Sequence, residues 1–249
     1  MEFVSILVRT DNLMYLVYDD EFAISIDSFE PDIIDKALSC DFHKTFYTKC
    51  EIINLPSRTN KRKLIASLTT HSHYDHAGGD SRLKRIFPDI IQYSGFYDNP
   101  VNDGQIINIK NFVIECIDTK CHTLDSFCFY INKKWLFTGD TVFFLGCGKF
   151  FEGTGQQMLE ALQKIKKRVD ENTLVLYGHD YRKTNVSFQK TINENLLTPY
   201  KLPEGIEEKM FLTLKEEIEY NPFFRIIEIN GGDSHPITEL RKAKDNYKY

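Results

Sequence analysis

Four side chains able to ligate a metal fall within six positions of this chain, in the string Thr70-His71-Ser72-His73-Tyr74-Asp75-His76-Ala77-Gly78-Gly79. The run Leu64 to Leu68 before it reads as a strand, and the two glycines allow a tight turn before a helix predicted from about Ser81 to Phe87. Three more donors share that setting. His122 follows a strand predicted over Phe112 to Ile117, Asp140 follows one over Trp135 to Phe137, and His179 follows one over Thr173 to Tyr177. Loops leaving one edge of a sheet can converge on a point, as a preorganised metal site requires. Five of the seven histidines are used this way, and His43 and His235, which lack the setting, receive no role.

Imidazoles and carboxylates suit zinc, iron or manganese, and seven such groups exceed the four that one tetrahedral ion takes. Two divalent ions are expected, zinc first. Ligand type alone leaves open which donor serves which ion. A purely structural zinc site is typically closed and rich in sulfur. None of the six cysteines (Cys40, Cys50, Cys116, Cys121, Cys128, Cys147) lies in the cluster or forms a CxxC pair, so catalysis is the better reading and free thiols are expected.

The rest of the chain reads as mixed α/β. Strands are predicted at Phe3 to Val8, Leu13 to Tyr18 and Phe22 to Ile26, a helix from Pro31 to about Cys40, and strands near Ile90 to Tyr93, Gln105 to Ile109 and Phe127 to Ile131. Met158 to Val169 carries apolar residues at helical spacing. Phe42 to Lys63 has no assignment, and its basic run Arg58 to Lys63 reads as a solvated loop rather than a partner site. From residue 181 the pattern turns helical, over Arg182 to Leu196, Glu204 to Tyr220 and Pro236 to Asp245, with a strand considered at Arg225 to Ile229. A domain over 1–180 and a smaller helical, substrate-binding one over 181–249 are expected. With a net charge of -5 the chain has no general attraction for nucleic acid, so an anionic ligand needs a local basic cluster. The N-terminus lacks the features of a secretory signal and no apolar segment is of membrane-spanning length, so a cytoplasmic protein free of the membrane is expected; a monomer is expected as the default.

The string Thr70 to His76 resembles the THxHxDH signature of the metallo-β-lactamase superfamily, whose members share an αββα sandwich. That resemblance implies that Asp140 bridges two ions, with His71, His73 and His122 on the first and Asp75, His76 and His179 on the second. Narrower segments resemble glyoxalase II, a family of hydroxyacylglutathione thioesterases: Thr10 to Val17, Phe137 to Thr141, Gly146 to Thr154, Tyr177 to Tyr181, Tyr220 to Phe223 and Arg241 to Asp245. The resemblance implies glutathione contacts at Lys149, Tyr181, Arg241 and Lys244. It also implies attack on the thioester by a hydroxide held between the metals, with Asp75 and Asp140 as the catalytic carboxylates.

Two departures bear on the site. Phe151 stands where the family has a tyrosine, removing a hydroxyl from the glutathione contacts. His122-Thr123-Leu124-Asp125-Ser126 lacks the Gly-His of the family's HT-x-GH pattern, which leaves open what supports His122. Rival readings are a mononuclear-iron glutathione persulfide dioxygenase, a nuclease and a metal-stabilised binding module; the glyoxalase-like GKF and C-terminal RxxK segments argue against the first.

Overall fold

The computed structural model describes residues 1–97, 100–192, 197–198, 200–230 and 232–248. The chain divides into two compact units, Met1–Val101 and Asn102–Tyr249.

The first unit is built on β1 (Glu2–Val8), β2 (Asn12–Tyr18), β3 (Phe22–Ile26), α1 (Pro31–Ala37), β4 (Phe46–Thr48), α2 (Lys49–Asn54), β5 (Lys63–Leu68), α3 (Tyr74–Ala77), α4 (Asp80–Ile86) and β6 (Ile91–Tyr93). Its sheet runs in the order β4-β1-β2-β3-β5-β6. The pairs β1–β2 and β2–β3 are antiparallel, and β1–β4, β3–β5 and β5–β6 are parallel. Every residue of β2 is buried, which accounts for its near-continuous apolar sequence NLMYLVY. Ile34 and Leu38, Ile52, and Leu83, from the segments of α1, α2 and α4, join Val4, Ile6, Met14 and Leu16 of the sheet in one apolar cluster.

The unassigned stretch Phe42 to Lys63 thus holds β4 and α2, the helix started by a capping box between Thr48 and Glu51. The solvated reading of its basic run holds for Thr59, Asn60, Lys61 and Lys63, which are exposed, and fails at Arg62. Arg62 is only 6% exposed. Its guanidinium donates to the carbonyls of Asp19 at 3.0 Å and Cys40 at 2.6 Å and lies 4.3 Å from the centre of the Tyr18 ring. Lys61 pairs with Asp35 and Arg58 with Asp41. A charge-run rule cannot see this, because the carbonyls that satisfy Arg62 are distant in sequence.

The second unit comprises β7 (Ile106–Ile109), β8 (Phe112–Asp118), β9 (Phe127–Ile131), β10 (Trp135–Gly139), β11 (Val142–Phe143), β12 (Gly146–Cys147), α5 (Gly155–Arg168), β13 (Leu174–Tyr177), α6 (Arg182–Gln189), a 3-10 turn (Ile206–Glu208), α7 (Leu214–Tyr220), α8 (Pro222–Asn230) and α9 (His235–Asn246). Its sheet order is β13-β10-β9-β8-β7, with β10–β13 parallel and the other pairs antiparallel. Strands β9 and β10 are buried throughout. Helix α5 starts at a Thr154–Gln157 capping box and buries Met158, Leu159, Leu162 and Ile165.

Three expectations change here. The helix predicted over Arg182 to Leu196 is seen over Arg182–Gln189, and its positions 193–196 lie outside the described residues. Glu204 to Tyr220 is not one helix, because Thr213 adopts an extended conformation, bridges Leu174 of β13 and caps α7 through Glu216. Arg225 to Ile229 is helical rather than a strand. Its β-branched isoleucines suggested a strand, but Pro222 opens α8, the Asn221 side chain accepts the Phe223 N–H, and Phe223, Phe224, Ile226 and Ile227 are buried at helical spacing. Among the described residues no helix is long and apolar enough to cross a membrane. The cysteines are free thiols, all but Cys50 buried.

Candidate metal centre

In the first unit β5 ends at Leu68 and delivers Thr70 and His71, while α3 carries Asp75 and His76. Asp27, the residue after β3, organises them. Its carboxylate accepts from the Thr70 N–H at 2.8 Å, the Thr70 hydroxyl at 2.8 Å and Nδ1 of His76 at 2.8 Å. The Thr70 hydroxyl has one proton, and that proton goes to Asp27. Its oxygen, 3.1 Å from His71 Nδ1, therefore accepts from that nitrogen. Both His71 and His76 are thereby held as Nδ1–H tautomers that keep a lone pair on Nε2, the state a metal ligand needs.

His71 Nε2 lies 3.1 Å from His73 Nδ1, and Asn12 donates to the Asp75 carbonyl at 3.1 Å and carboxylate at 3.3 Å. A Cβ on Gly79 would come within 1.9 Å of the Ser28 carbonyl, so the approach of this loop to the chain after β3 requires glycine. Behind the cluster, buried Asp80 accepts from Thr69 and Tyr97, and burial pushes its carboxyl up to about 7.

In the second unit His122, Asp140 and His179 are brought together. Nε2 of His122 lies 3.4 Å and Nε2 of His179 3.6 Å from Oδ2 of Asp140. The open question of what supports His122 is answered by the chain itself, since its Nδ1 donates to the Lys149 carbonyl at 2.9 Å. That leaves Nε2 with the lone pair. Around it Thr123 bonds Asp125 and Ser126, and Glu152 accepts the Leu124 N–H at 2.6 Å. Donors about 2.0–2.1 Å from a tetrahedral ion lie roughly 3.3 Å apart. The separations within each unit, 3.1 Å in the first and 3.4 and 3.6 Å in the second, match that edge, and the donors are oxygen and imidazole nitrogen. These residues fit a divalent metal.

No family model matches the chain. A probable hydroxyacylglutathione hydrolase of Encephalitozoon cuniculi is 41% identical over 251 residues, covering 99% of this chain and 98% of the relative. The chain belongs to the hydroxyacylglutathione hydrolase family. A second hydroxyacylglutathione hydrolase, from Pelagibacter ubique, is 40% identical over 195 residues, 72% of this chain and 79% of its own. Among solved structures the BLEG-1 B3 metallo-β-lactamase superposes with a TM-score of 0.62 at 17% identity, covering 90% of this chain and 99% of that one. The fold is the metallo-β-lactamase fold.

Five residues singled out by resemblance to the hydroxyacylglutathione hydrolase family lie in the second unit. The Phe151 ring is 58% exposed, stands edge-on to His122 at 5.1 Å, and has the Lys149 ammonium 5.2 Å from its centre. Tyr181 stacks on His179 with ring centres 4.9 Å apart. Lys244 is part-buried between the Phe188 and Tyr247 rings, and burial, reinforced by Arg241, brings its pKa down to about 8. Arg241 is buried, donating to the Cys147 carbonyl at 2.7 Å and pairing with Asp245 at 3.0 Å.

Asp27 was missed in the sequence. Like the ligands it lies just past the end of a predicted strand, here one residue past Phe22 to Ile26, and the same search extended to that strand finds it.

Proposed function

We propose that this chain hydrolyses S-(2-hydroxyacyl)glutathione thioesters, such as S-D-lactoylglutathione, to glutathione and a 2-hydroxy acid. The relative 41% identical across 99% of the chain carries this reading. The tautomers set by Asp27 and by the Lys149 carbonyl support it, since they prepare His71, His76 and His122 as ligands.

The proposed centre takes two divalent ions, zinc first and iron or manganese as alternatives. By the family's pattern, His71, His73 and His122 would hold one and Asp75, His76 and His179 the other, with Asp140 as a further ligand. Bound divalent ions acidify water and polarise a carbonyl. The chain supplies the rest. Asp75 and Asp140 place negative charge beside the ions, and Asn12 holds Asp75 in place. Lys149, Tyr181 and Lys244 receive the glutathione moiety, with Arg241 adding to the positive field, because two carboxylates and a net negative charge need local cations in a chain of net charge -5. Phe151 offers that moiety an apolar face. The departing thiolate, whose acid has a pKa of about 8.5, leaves without a dedicated proton donor.

The proposal includes a cytoplasmic monomer without nucleic-acid or membrane partners, with substrate contacts from the helical stretch after residue 180. It is tested by hydrolysis of S-D-lactoylglutathione before and after chelation. Chelator-sensitive turnover restored by zinc is expected; no turnover by the chain loaded with zinc, iron or manganese overturns it.

A further inference from the structure

Five consecutive backbone positions, Phe143 to Cys147, are held by side chains from the segments that form the C-terminal helices. Asn221 donates to the Gly146 carbonyl at 2.9 Å and the Phe143 carbonyl at 3.5 Å, and Asn185 donates to the Phe144 carbonyl at 2.9 Å. Glu217 accepts from the Leu145 N–H at 3.3 Å, and Arg241 donates to the Cys147 carbonyl at 2.7 Å. All four side chains are buried. The Glu217 carboxylate also accepts from the Tyr177 hydroxyl at 2.7 Å and from Asn221 at 2.7 Å, which ties the brace to β13.

The hairpin needs such a brace. Strands β11 and β12 share only the pairs Val142–Cys147 and Phe143–Gly146. Between them Leu145 has φ of 51°, a left-handed conformation that is strained for a non-glycine residue. A short isolated hairpin is at best marginally stable in water.

Both ends of the hairpin meet donors of the centre. Asp140 precedes it, and the Gly148 N–H returns to the Thr141 carbonyl at 3.3 Å. A Cβ on Gly148 would stand 1.8 Å from the Asp140 carbonyl oxygen and 3.0 Å from Nδ1 of His122. The next carbonyl, that of Lys149, receives the His122 N–H.

We propose that Glu217, Asn221 and Arg241 are positioning residues for the metal centre: by gripping Phe143 to Cys147 they set Asp140 and, through the Lys149 carbonyl, the ring of His122. The inference rests on the reading that Asp140 and His122 are ligands. It gives the helical segment a second task beside receiving substrate, and it gives Arg241 an action through the backbone it holds.

The test titrates zinc into metal-free protein against a chromophoric chelator, for the unaltered chain and for Asn221→Leu and Glu217→Gln, near-isosteric changes that remove hydrogen bonds of the brace. The control is Lys242→Ala, on α9, whose exposed ammonium pairs with Glu239. Zinc affinity about tenfold weaker or worse is expected in both brace variants, the range seen when outer partners of metal ligands are lost, with the control unchanged. A role limited to stability would lower the melting temperature and leave zinc affinity alone, and unchanged affinity in both folded variants overturns the proposal. Should either fail to fold, Arg241→Lys, which keeps the charge on a shorter reach, is read in the same way. Zinc affinity does not depend on turnover. Weakened binding in the variants of a chain that cleaves no thioester would sink the hydrolase reading and uphold this one; unaltered binding with full hydrolysis would do the reverse.

Discussion

Asp27 shows how much one carboxylate can decide. Buried one residue beyond β3, it accepts from the Thr70 hydroxyl and from His76 Nδ1, and so sets the tautomers of two imidazoles, one in the loop after β5 and one on α3. Lys149 does the same for His122 with a carbonyl, a role independent of its side chain. Lys244 offers a residue-scale prediction. Its pKa lies near 8, below the ordinary lysine value, so it is cationic below that pH and neutral above it. If it receives a glutathione carboxylate, KM should rise several-fold as pH climbs through about 8 while kcat changes less. Lys244→Arg, which stays charged, should remove that part of the pH profile; identical profiles for the two proteins would discard the contact.

At the scale of elements, strands were more legible than helices. Apart from β4, the strands of both sheets are short apolar runs between polar turns, and their alternation or continuity survives in the sequence whatever packs on them. The C-terminal helices were harder, because isoleucine-rich α8 mimics a strand and Thr213 interrupts an otherwise helical pattern. Hairpin β11–β12 was invisible, having two residues in each strand and depending on side chains from far along the chain. The segment after α2 makes the same point. Arg62 closes the end of α1 and the β2–β3 turn by bonding the carbonyls of Cys40 and Asp19. Arg62→Leu should therefore destabilise the chain by about 2–3 kcal/mol, since two buried carbonyls lose their donor and a cation–π contact goes with them. Urea unfolding measures this, and a loss under about 0.5 kcal/mol would return the run to the status of a solvated loop.

For the whole molecule the seven proposed ligands divide between two compact units, His71, His73, Asp75 and His76 in one and His122, Asp140 and His179 in the other. If they act as one centre, His73→Ala and Asp140→Ala should each reduce turnover at least a hundredfold and lower bound metal, although the changes lie in different units. Metal analysis beside the thioesterase assay checks this; full activity at normal metal content in either variant would remove that residue from the centre. The proposed donor set was readable in the sequence because ligand chemistry at strand ends is local, a matter of residue type and the run before it. Family membership was readable for the same reason, through short strings spread along the chain. The nitrogen that His71, His76 and His122 leave for a metal, the burial of Arg62 and the brace on Phe143 to Cys147 were decided only by the tertiary structure. They depend on contacts between residues 22 to 94 positions apart, and no local pattern records which distant carbonyl or carboxylate will arrive.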